Sequence, residues 1–560
     1  MAAISPPGPA STVSLLPPWT RRRVLLLAVT VVFVGLCLWG LRRVDLSLFA
    51  LIDGWPQTQN LLERMWPPFI PSEDFSPIWR ATLDTFFMAY AGTAIGLFVA
   101  IPLALASARN VMPWAPVRAV ARAIIVFTRA VPALVFAIVF VRIYGIGVLP
   151  GVLAIGIHSV GMLGKLLGDA AEGIDPGPRD GIVSTGAGPM QDLMTGVWRQ
   201  MVPSAIAVTL YRLEIDFRGA TLLGFVGAGG IGLVLRGYQG NLRYQEMLGV
   251  TLLIVVLVVC MEAMSALTRR ALLGDAEPSE GRLMSLFRGR ATTAHNLQVA
   301  PSITAPWDPP RRRLAIAGAG SVVLLGLSFT IPDISIRELF ASVGEMPSTF
   351  WKLVPKDMTW FTDAVVGDLI ETIAIGFAAT FLALLVAIPF AFMAASNVAP
   401  GRWVYRCARM FLLLVRAVPE LVVAVIFVAA IGLGPATGTL ALAIGMFGFI
   451  TKLFADSIEE IRQGPRDGVF ATGATRTQEI GTSVVPQVLP ALLGNALYVL
   501  DVSLRSSTVL GIVGAGGIGF LLNNAARTLK FEVVGGIVLS IFVIVYAIEL
   551  IASWVRRQVI

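Results

Sequence analysis

The chain has 560 residues, of which 56% are hydrophobic and only 14% are charged, whereas soluble globular domains carry about 25% charged residues. Apolar runs such as residues 24–41 recur along it, and each is long enough to cross the ~30 Å hydrocarbon core of a bilayer. The formal net charge of +8 indicates basic cytoplasmic loops and not a nucleic-acid partner. These properties exclude a soluble enzyme and predict an all-α, polytopic protein of the lipid bilayer.

About twelve helical spans are predicted from the apolar runs, six in each half of the chain. They are residues 24–41, 80–106, 117–143, 148–172, 200–222, 245–268, 313–330, 366–393, 404–431, 436–460, 487–509 and 533–555. The first run is expected to be retained, because Arg42 and Arg43 close it without a small-residue cleavage site. Arginine placement puts the N-terminus in the cytoplasm. We therefore expect a multi-pass protein of the plasma (inner) membrane.

Cysteine and histidine are too sparse for a metal centre or a disulfide framework. The three cysteines lie in apolar runs, and His158 and His295 are far apart without metal-ligand spacing. No metal site is therefore expected.

The two halves of the chain are copies of one module. Arg129-Ala-Val-Pro132 returns as Arg416-Ala-Val-Pro419, 287 residues later. The same offset relates residues 218–232 to residues 505–519, where 11 of 15 residues are identical. Because each copy holds an even number of spans, both copies have the same orientation in the membrane. The sequence therefore predicts two parallel-repeat helical bundles.

These repeats define the expected domains. The first module is expected at residues 1–272 and the second at residues 313–560. The intervening residues 273–312 are polar and rich in Gly, Pro, Ser, Thr and Arg, a composition typical of flexible linkers. We expect this segment to be a cytoplasmic tether between the modules.

Each copy has a long polar loop between its fourth and fifth spans, at residues 175–200 and 462–487, which we call the coupling loops. In the second loop, Asp467-Gly-Val-Phe-Ala-Thr-Gly473 precedes Pro486 by thirteen residues. This spacing resembles the EAA loop of ATP-binding-cassette (ABC) import permeases. The resemblance implies short helices over 180–191 and 467–478 that seat on an ATPase. It assigns Asp180, Gly181, Thr185, Gly186, Asp467, Gly468, Thr472, Gly473 and Pro486 to this contact.

The first coupling loop departs from the pattern at one position. Arg199 stands where the second copy has Pro486, so the first loop matches the family less completely. An ordinary cytoplasmic loop preserved by gene duplication remains the alternative for both loops.

A glycine-rich segment follows the fifth span in each copy and ends in Gly-Ala-Gly-Gly-Ile-Gly. Glycine lets the backbone turn, approach a neighbour closely, or present N–H groups to an anion. Close packing without any ligand remains an open interpretation. Together with the coupling loops, these segments closely resemble the phosphonate-import permeases, here as two units fused in tandem.

This resemblance implies the fold of a type I ABC-importer permease and a set of partners. The partners are a cytoplasmic ABC ATPase homodimer and an extracytoplasmic phosphonate-binding protein. The cargo is phosphonate or a related small oxyanion. Phosphate, phosphite or another small solute is the alternative cargo, and an ATP-independent secondary transporter is the alternative class, which the parallel repeat disfavours.

The chain itself is expected to bind no nucleotide and to catalyse no reaction. Gly164-Lys165 is followed by Leu166, so the spacing of a phosphate-binding P-loop is missing. ATP and Mg²⁺ are therefore expected on the separate ATPase.

Charged residues within spans are candidates for pathway or interface roles. Arg129 and Arg416 lie near mid-bilayer in their predicted spans, and only Arg416 has an acidic residue, Glu420, one turn away. The predicted pathway residues are Arg129, Arg416, Thr221, Thr508, Gly227, Gly229, Gly230, Gly514, Gly516 and Gly517. Hydrogen bonding of both arginines to carbonyls at helix interfaces is the competing interpretation.

The remaining membrane charges fall in pairs spaced one helical turn apart. For these pairs we favour mutual neutralisation between helices over a transport role. They are Lys165 with Asp169, Lys452 with Asp456, Glu214 with Arg218, and Asp501 with Arg505.

Overall fold

The computed structural model describes residues 21–46, 55–273, 309–332 and 346–559, with a few single residues between these ranges. Within those ranges every regular element is a helix, which confirms the all-α prediction. The expected linker at 273–312 lies outside the described residues apart from its ends.

The first half of the described chain contains eleven α-helices. They are α1 (Arg21–Arg43), α2 (Trp55–Met65), α3 (Phe75–Ser107), α4 (Ala115–Ala130), α5 (Ala133–Tyr144), α6 (Val148–Glu172), α7 (Pro176–Ser184), α8 (Pro189–Gln191), α9 (Trp198–Leu223), α10 (Ile231–Gly240) and α11 (Tyr244–Leu273). A π-helical turn, Asp192–Val197, joins α8 to α9, and a 3-10 turn, Gly224–Val226, follows α9.

The second half repeats this series. It contains α12 (Pro309–Thr330), α13 (Met346–Leu353), α14 (Asp363–Ala394), α15 (Arg402–Ala417), α16 (Glu420–Ile431), α17 (Pro435–Glu459), α18 (Gln463–Ala471), α19 (Arg476–Glu479), α20 (Val485–Leu510), α21 (Ile518–Arg527) and α22 (Phe531–Val559). The bounds of α4, α5, α6, α7, α9 and α10 recur 287 residues later at both ends. The sequence repeat is therefore a structural repeat.

Eight helices of the described chain are long and apolar enough to cross a membrane, or up to eleven if each of three bent helix pairs is one span. Helix α1 is not in this count, but its 23 residues extend about 34 Å at 1.5 Å per residue. It is therefore also long enough to cross the ~30 Å hydrocarbon core. The prediction of a polytopic membrane protein is confirmed.

Two predicted spans are not continuous helices, which corrects the sequence expectation. Residues 117–143 divide into α4 and α5, which meet at 87°, and residues 404–431 divide into α15 and α16, which meet at 78°. Each break precedes a proline, which lacks a backbone N–H and keeps the residue before it out of the helical region. Val131 accordingly has φ −85° and ψ 123°.

Because the predicted spans are broken, Arg129 and Arg416 lie at helix ends. Arg129 is in the last turn of α4 and Arg416 is in the last turn of α15, and not in the middle of a straight helix. The carbonyl end of a helix carries partial negative charge and favours a cation there.

Glycines let the long helices of each module approach closely. A Cβ atom on Gly92 of α3 would lie 2.6 Å from the side chain of Ile155 in α6. Such small-residue contacts are typical of helix packing within membranes, where lipid offers no hydrophobic driving force between helices.

The two modules exchange their first helices, and the last helix of each module contacts the other module. α1 packs against α14 of the second module, where a Cβ on Gly40 would lie 2.8 Å from the carbonyl oxygen of Ala374. α12 packs against α3 of the first module, and the Tyr90 hydroxyl donates a hydrogen bond of 3.0 Å to the Ser321 carbonyl. At the other end of each module, α11 packs against α15 and α22 against α4. The modules are therefore interlocked.

Candidate functional site

The last helix of each module forms an ion pair with the broken span of the other module. Arg129 of the first module pairs with Glu549 in the last helix of the second. Arg416 of the second module pairs with Glu262 in the last helix of the first, with 3.3 Å between Nη1 and Oε1. Glu262 and Glu549 occupy equivalent positions in the repeat. Each arginine is thus neutralised by the other module.

A second layer of charge adjoins each pair. Glu214 lies 3.6 Å from Arg416 and 3.7 Å from Arg218. In the other copy Asp501 pairs with Arg505, which also donates a hydrogen bond of 3.4 Å to the backbone carbonyl of Arg129. We call the two groups the charge clusters.

In each charge cluster two arginines contact two carboxylates, and Glu420 and Lys452 lie beside the second cluster. The first contains Arg129, Arg505, Asp501 and Glu549, and the second contains Arg416, Arg218, Glu214 and Glu262. All eight side chains are mostly buried; that of Arg416 is 11% exposed. Burial costs an unpaired ion several kcal/mol, so mutual neutralisation is what makes these positions tolerable inside the bundle.

Sequence spacing did not reveal these partners. Arg129 has no acidic residue within one turn, because its partner lies on the other module. Glu420, the expected neighbour of Arg416, is hydrogen-bonded to Ser506 and lies close to Arg218 instead. The contact of each last helix with the other module is a tertiary property. The repeat alone could have suggested only that Glu262 and Glu549 have equivalent roles.

Three of the four predicted one-turn pairs form. The Lys165 Nζ to Asp169 Oδ1 distance is 2.6 Å, and the Glu214–Arg218 and Asp501–Arg505 pairs belong to the charge clusters. In the fourth pair Asp456 forms its ion pair with Arg409 at 3.2 Å, and it attracts Lys452 without a direct ion pair.

The two predicted pathway threonines are buried at the ends of α9 and α20. The hydroxyl of Thr221 donates a 2.7 Å hydrogen bond to the Arg218 carbonyl, and Thr508 does the same to Arg505. Both hydroxyls therefore satisfy the helix end that leads into the glycine-rich turn.

The glycine-rich turns use conformations that favour glycine. Positive φ angles occur at Gly227, Gly229 and Gly230, and at Gly514, Gly516 and Gly517. Three of the N–H groups here are taken by side chains, since Ile231 donates to Thr85 Oγ1, Ile518 donates to Thr372 Oγ1 and Gly517 donates to Glu371 Oε1, each at 2.8 Å. These contacts favour the packing interpretation of the turns, while a pathway role for them stays a prediction.

Each coupling loop begins with a short helix, α7 or α18, that has no buried residue. The helices start before the expected residues 180 and 467 and end at the turn that contains Gly186 or Gly473, with φ 82° and 79°. Val183 and its repeat equivalent Phe470 are 51% and 47% exposed. Both helices therefore present their side chains away from the rest of the bundle.

The other predicted coupling-loop residues lie around these helices. Asp180 and Asp467 are exposed, and a Cβ on Gly181 or Gly468 would meet no atom within 4 Å. The hydroxyls of Thr185 and Thr472 each donate a 2.7 Å hydrogen bond to a carbonyl three residues earlier.

The departure at Arg199 leaves the local fold unchanged. Pro486 lies at the start of α20, directly after a π-helical turn, Ile480–Val484. Arg199 lies in α9, and both ends of α9 are 287 residues before the ends of α20. The change from proline to arginine therefore does not move the helix bounds.

The inner side of each loop is anchored to the bundle. Arg179 pairs with Asp192 at 2.8 Å, and Arg466 pairs with Glu479 in the second copy. The same two arginines join the loops to the bundle, since Arg179 donates a hydrogen bond to the Asn110 carbonyl after α3 and Arg466 donates one of 3.1 Å to the Asn397 carbonyl after α14. Sequence analysis missed these anchors, although both arginines recur in the repeat. They fix the exposed helices to the membrane bundle.

No group of three or more His, Cys, Asp or Glu residues in the described chain is arranged to hold a metal ion.

Comparison with known proteins follows the same division into halves. The family model of the binding-protein-dependent transport system inner membrane component matches residues 93–272 and 387–560. The chain is 43% identical over 524 residues to the phosphate-import permease protein PhnE of Mycolicibacterium smegmatis, a match that covers 92% of each chain. It is 39% identical over 247 residues to the phosphite transport system permease protein PtxC of Stutzerimonas stutzeri, covering 43% of this chain and 87% of that one.

Among solved structures, a chain of the inward-facing MetNI methionine ABC transporter aligns with a TM-score of 0.33 and 22% identity, covering 35% of this chain and 96% of that chain. The family model matches twice, once in each half, which confirms the predicted tandem arrangement. The chain therefore belongs to the family of binding-protein-dependent transport system inner membrane components, as two permease units in one polypeptide.

Proposed function

We propose that the chain is the membrane permease of an ATP-driven importer for phosphonate, phosphate or phosphite. The observation that carries this proposal is the pair of exposed helices, α7 and α18, each held to its module by an arginine that donates a hydrogen bond to the loop after α3 or α14. The named relatives support the cargo class, since one is a phosphate-import permease and another belongs to a phosphite transport system.

The partners follow from the geometry of the coupling loops. Two equivalent helices at one end of the bundle suit a dimeric ABC ATPase, with one helix on each subunit. That end is then cytoplasmic, the N-terminus lies on the same side, and the protein resides in the plasma membrane. ATP and Mg²⁺ bind the ATPase, while an extracytoplasmic binding protein delivers the oxyanion to the opposite end.

The charge clusters provide a means of passing an anion without trapping it. A phosphate-type group carries about one to two negative charges at neutral pH, and an unpaired ion in an apolar environment costs several kcal/mol. We place Arg129 and Arg416 on the pathway between the modules. Because each is paired with a glutamate, it attracts the cargo weakly, and weak binding permits release.

A paired substitution tests this pathway role separately from folding. Arg129→Gln alone leaves Glu549 unpaired and is expected to lower protein abundance. Arg129→Gln with Glu549→Gln removes both charges together. We expect this double variant to reach normal abundance and to retain ATPase assembly while oxyanion uptake falls. Normal uptake at normal abundance would assign the arginine to folding alone.

Uptake in cells tests the overall function. The chain is expressed with its ATPase and binding protein in a strain without other phosphate uptake, and accumulation of labelled phosphate, phosphite and methylphosphonate is measured. An ATPase variant that cannot hydrolyse ATP is the control. We expect uptake of at least one anion with the active ATPase only. Uptake that persists with the inactive ATPase would instead support a secondary transporter.

A further inference from the structure

A polar cavity lies between the modules at the end of the bundle opposite to the coupling loops. α9 follows the first coupling loop and extends for 26 residues, about 39 Å at 1.5 Å per residue, before the glycine-rich turn and α10. The cavity there has a volume of about 410 Å³, within the range of roughly 300–1,000 Å³ for ligand pockets. Its polar lining consists of Arg236, Gln239, Asn523, Asn524 and Arg527.

The cavity is positively charged. None of its lining residues is acidic, and in the described part of the chain neither Arg236 nor Arg527 belongs to an ion pair. The two guanidinium groups are close enough to repel each other. Arg236 donates one 2.7 Å hydrogen bond to the Phe225 carbonyl, and a guanidinium has five N–H donors. Donors on both arginines therefore remain for a ligand.

The surrounding contacts hold the two arginines in place across the module boundary. The hydrogen bond to the Phe225 carbonyl fixes Arg236 against the 3-10 turn before the glycine-rich segment. Arg142 of the first module donates a 2.8 Å hydrogen bond to the carbonyl of Ala526, the residue before Arg527. α21 is thereby joined to the first module beside the cavity.

Each copy contributes one arginine to the cavity, but the two arginines do not occupy equivalent positions in the repeat. Asn523 is the repeat equivalent of Arg236, and Gly240 is the repeat equivalent of Arg527. The glycine-rich turns immediately before these helices are identical in the two copies. The arginines are therefore not required by the shared fold of α10 and α21, since each helix forms with a different residue at that position.

We propose that this cavity is a binding site for the transported oxyanion at the outer mouth of the pathway. The inference rests on the proposed function and deepens it by naming the residues that first receive the cargo. Guanidinium groups bind phosphate-type oxygens through parallel N–H bonds. An anion between Arg236 and Arg527 removes their mutual repulsion, and the amides of Gln239 and Asn523 supply further donors. Unlike the charge clusters, this site carries its positive charge without resident carboxylates.

The test uses substitutions that the repeat itself provides. Arg236→Asn and Arg527→Gly each introduce the residue that the other copy has at the equivalent position. Lys530→Gln is the matched control, because Lys530 is exposed near the same end of the bundle but does not line the cavity. The full chain with its ATPase is placed in lipid nanodiscs without the binding protein, and binding of labelled phosphate is measured by equilibrium dialysis.

We expect wild type and Lys530→Gln to bind phosphate alike, and each arginine variant to bind about tenfold or more weakly, the loss expected for a charged hydrogen bond. Methylphosphonate is expected to compete. Unchanged binding in both variants, or no binding to wild type at millimolar phosphate, would overturn the proposal.

Two further readouts separate this proposal from others. If phosphate binding is unchanged and only docking of the binding protein is weakened, the arginines form a protein-binding surface and the proposal is overturned. If wild type carries none of the tested anions in cells, the proposed function fails. If wild type takes up the anion normally and both arginine variants bind phosphate normally, the proposed function stands and only the proposed binding site in the cavity is rejected.

Discussion

Glu262 of α11 lies 3.3 Å from Arg416 of α15 although the two residues belong to different modules. The equivalent pair, Glu549 with Arg129, repeats this contact in the opposite direction. Each last helix is therefore tied electrostatically to the broken span of the other module. This places a charged contact at the boundary along which the two bundles must move if access alternates.

Exchanging the two charges of one ion pair should restore part of the stability that a single substitution removes. Arg416→Glu places a carboxylate beside Glu214 and Glu262, so we expect lower thermal stability, by about 3 kcal/mol for a broken buried pair. Arg416→Glu with Glu262→Arg restores an attractive contact and should recover part of that loss. Thermal unfolding in nanodiscs measures both, and a double variant no more stable than the single one would contradict the pairing.

The exposed ring of Phe470 should contribute to ATPase binding. Phe470→Ser removes an apolar side chain that is 47% exposed on α18, and we expect the ATPase to co-purify at least fivefold less well, about 1 kcal/mol for an interface residue. Trp403→Ser is the control, because Trp403 is also exposed but lies outside the coupling loops. Equal loss in both variants, or loss in neither, would count against α18 as the docking helix.

Gly473 should be required for coupling because its φ is 79°. A β-branched residue is strained at positive φ, so Gly473→Val should displace α18 and reduce transport per ATP hydrolysed. Gly401→Val is the matched control, since Gly401 has φ −171° and a Cβ there would meet no atom within 4 Å. The ratio of uptake to ATP hydrolysis measures coupling, and an unchanged ratio in Gly473→Val would refute this role.

The tether between the modules should be dispensable. Residues 1–285 and 295–560, expressed together as separate chains, should assemble and restore uptake, because the exchanged helices α1 and α12 join the modules through their own contacts. Co-purification of the two halves is the first measurement and uptake is the second. Stable assembly without uptake would show that the segment does more than connect.

Much of this architecture is predictable from sequence because the repeat and the apolar runs are local or self-similar signals. The helix bounds follow the 287-residue offset seen in the sequence, and the glycine-rich turns fall where glycine is required. The breaks before Pro132 and Pro419 were missed because membrane helices often tolerate proline. The same apolar pattern fits a continuous span and a bent pair.

The candidate site is less predictable because its contacts join distant parts of the chain. No spacing rule connects Arg129 to Glu549, since the contact depends on which module each terminal helix packs against. The anchor between Arg179 and Asp192 spans a turn and a short helix, and it has neither of the one-turn spacings used to predict pairs. The positive charge of the cavity between the modules is equally hard to predict, because Arg236 and Arg527 are not repeat equivalents.

Transport by purified components tests the central claim most directly. The chain, its ATPase and its binding protein are reconstituted in proteoliposomes, and accumulation of labelled phosphate and methylphosphonate is followed with ATP on the coupling-loop side. The account predicts accumulation of oxyanion against its gradient only when ATP and binding protein are both present. Equal accumulation without ATP, or ATP hydrolysis that moves none of these anions, would contradict it.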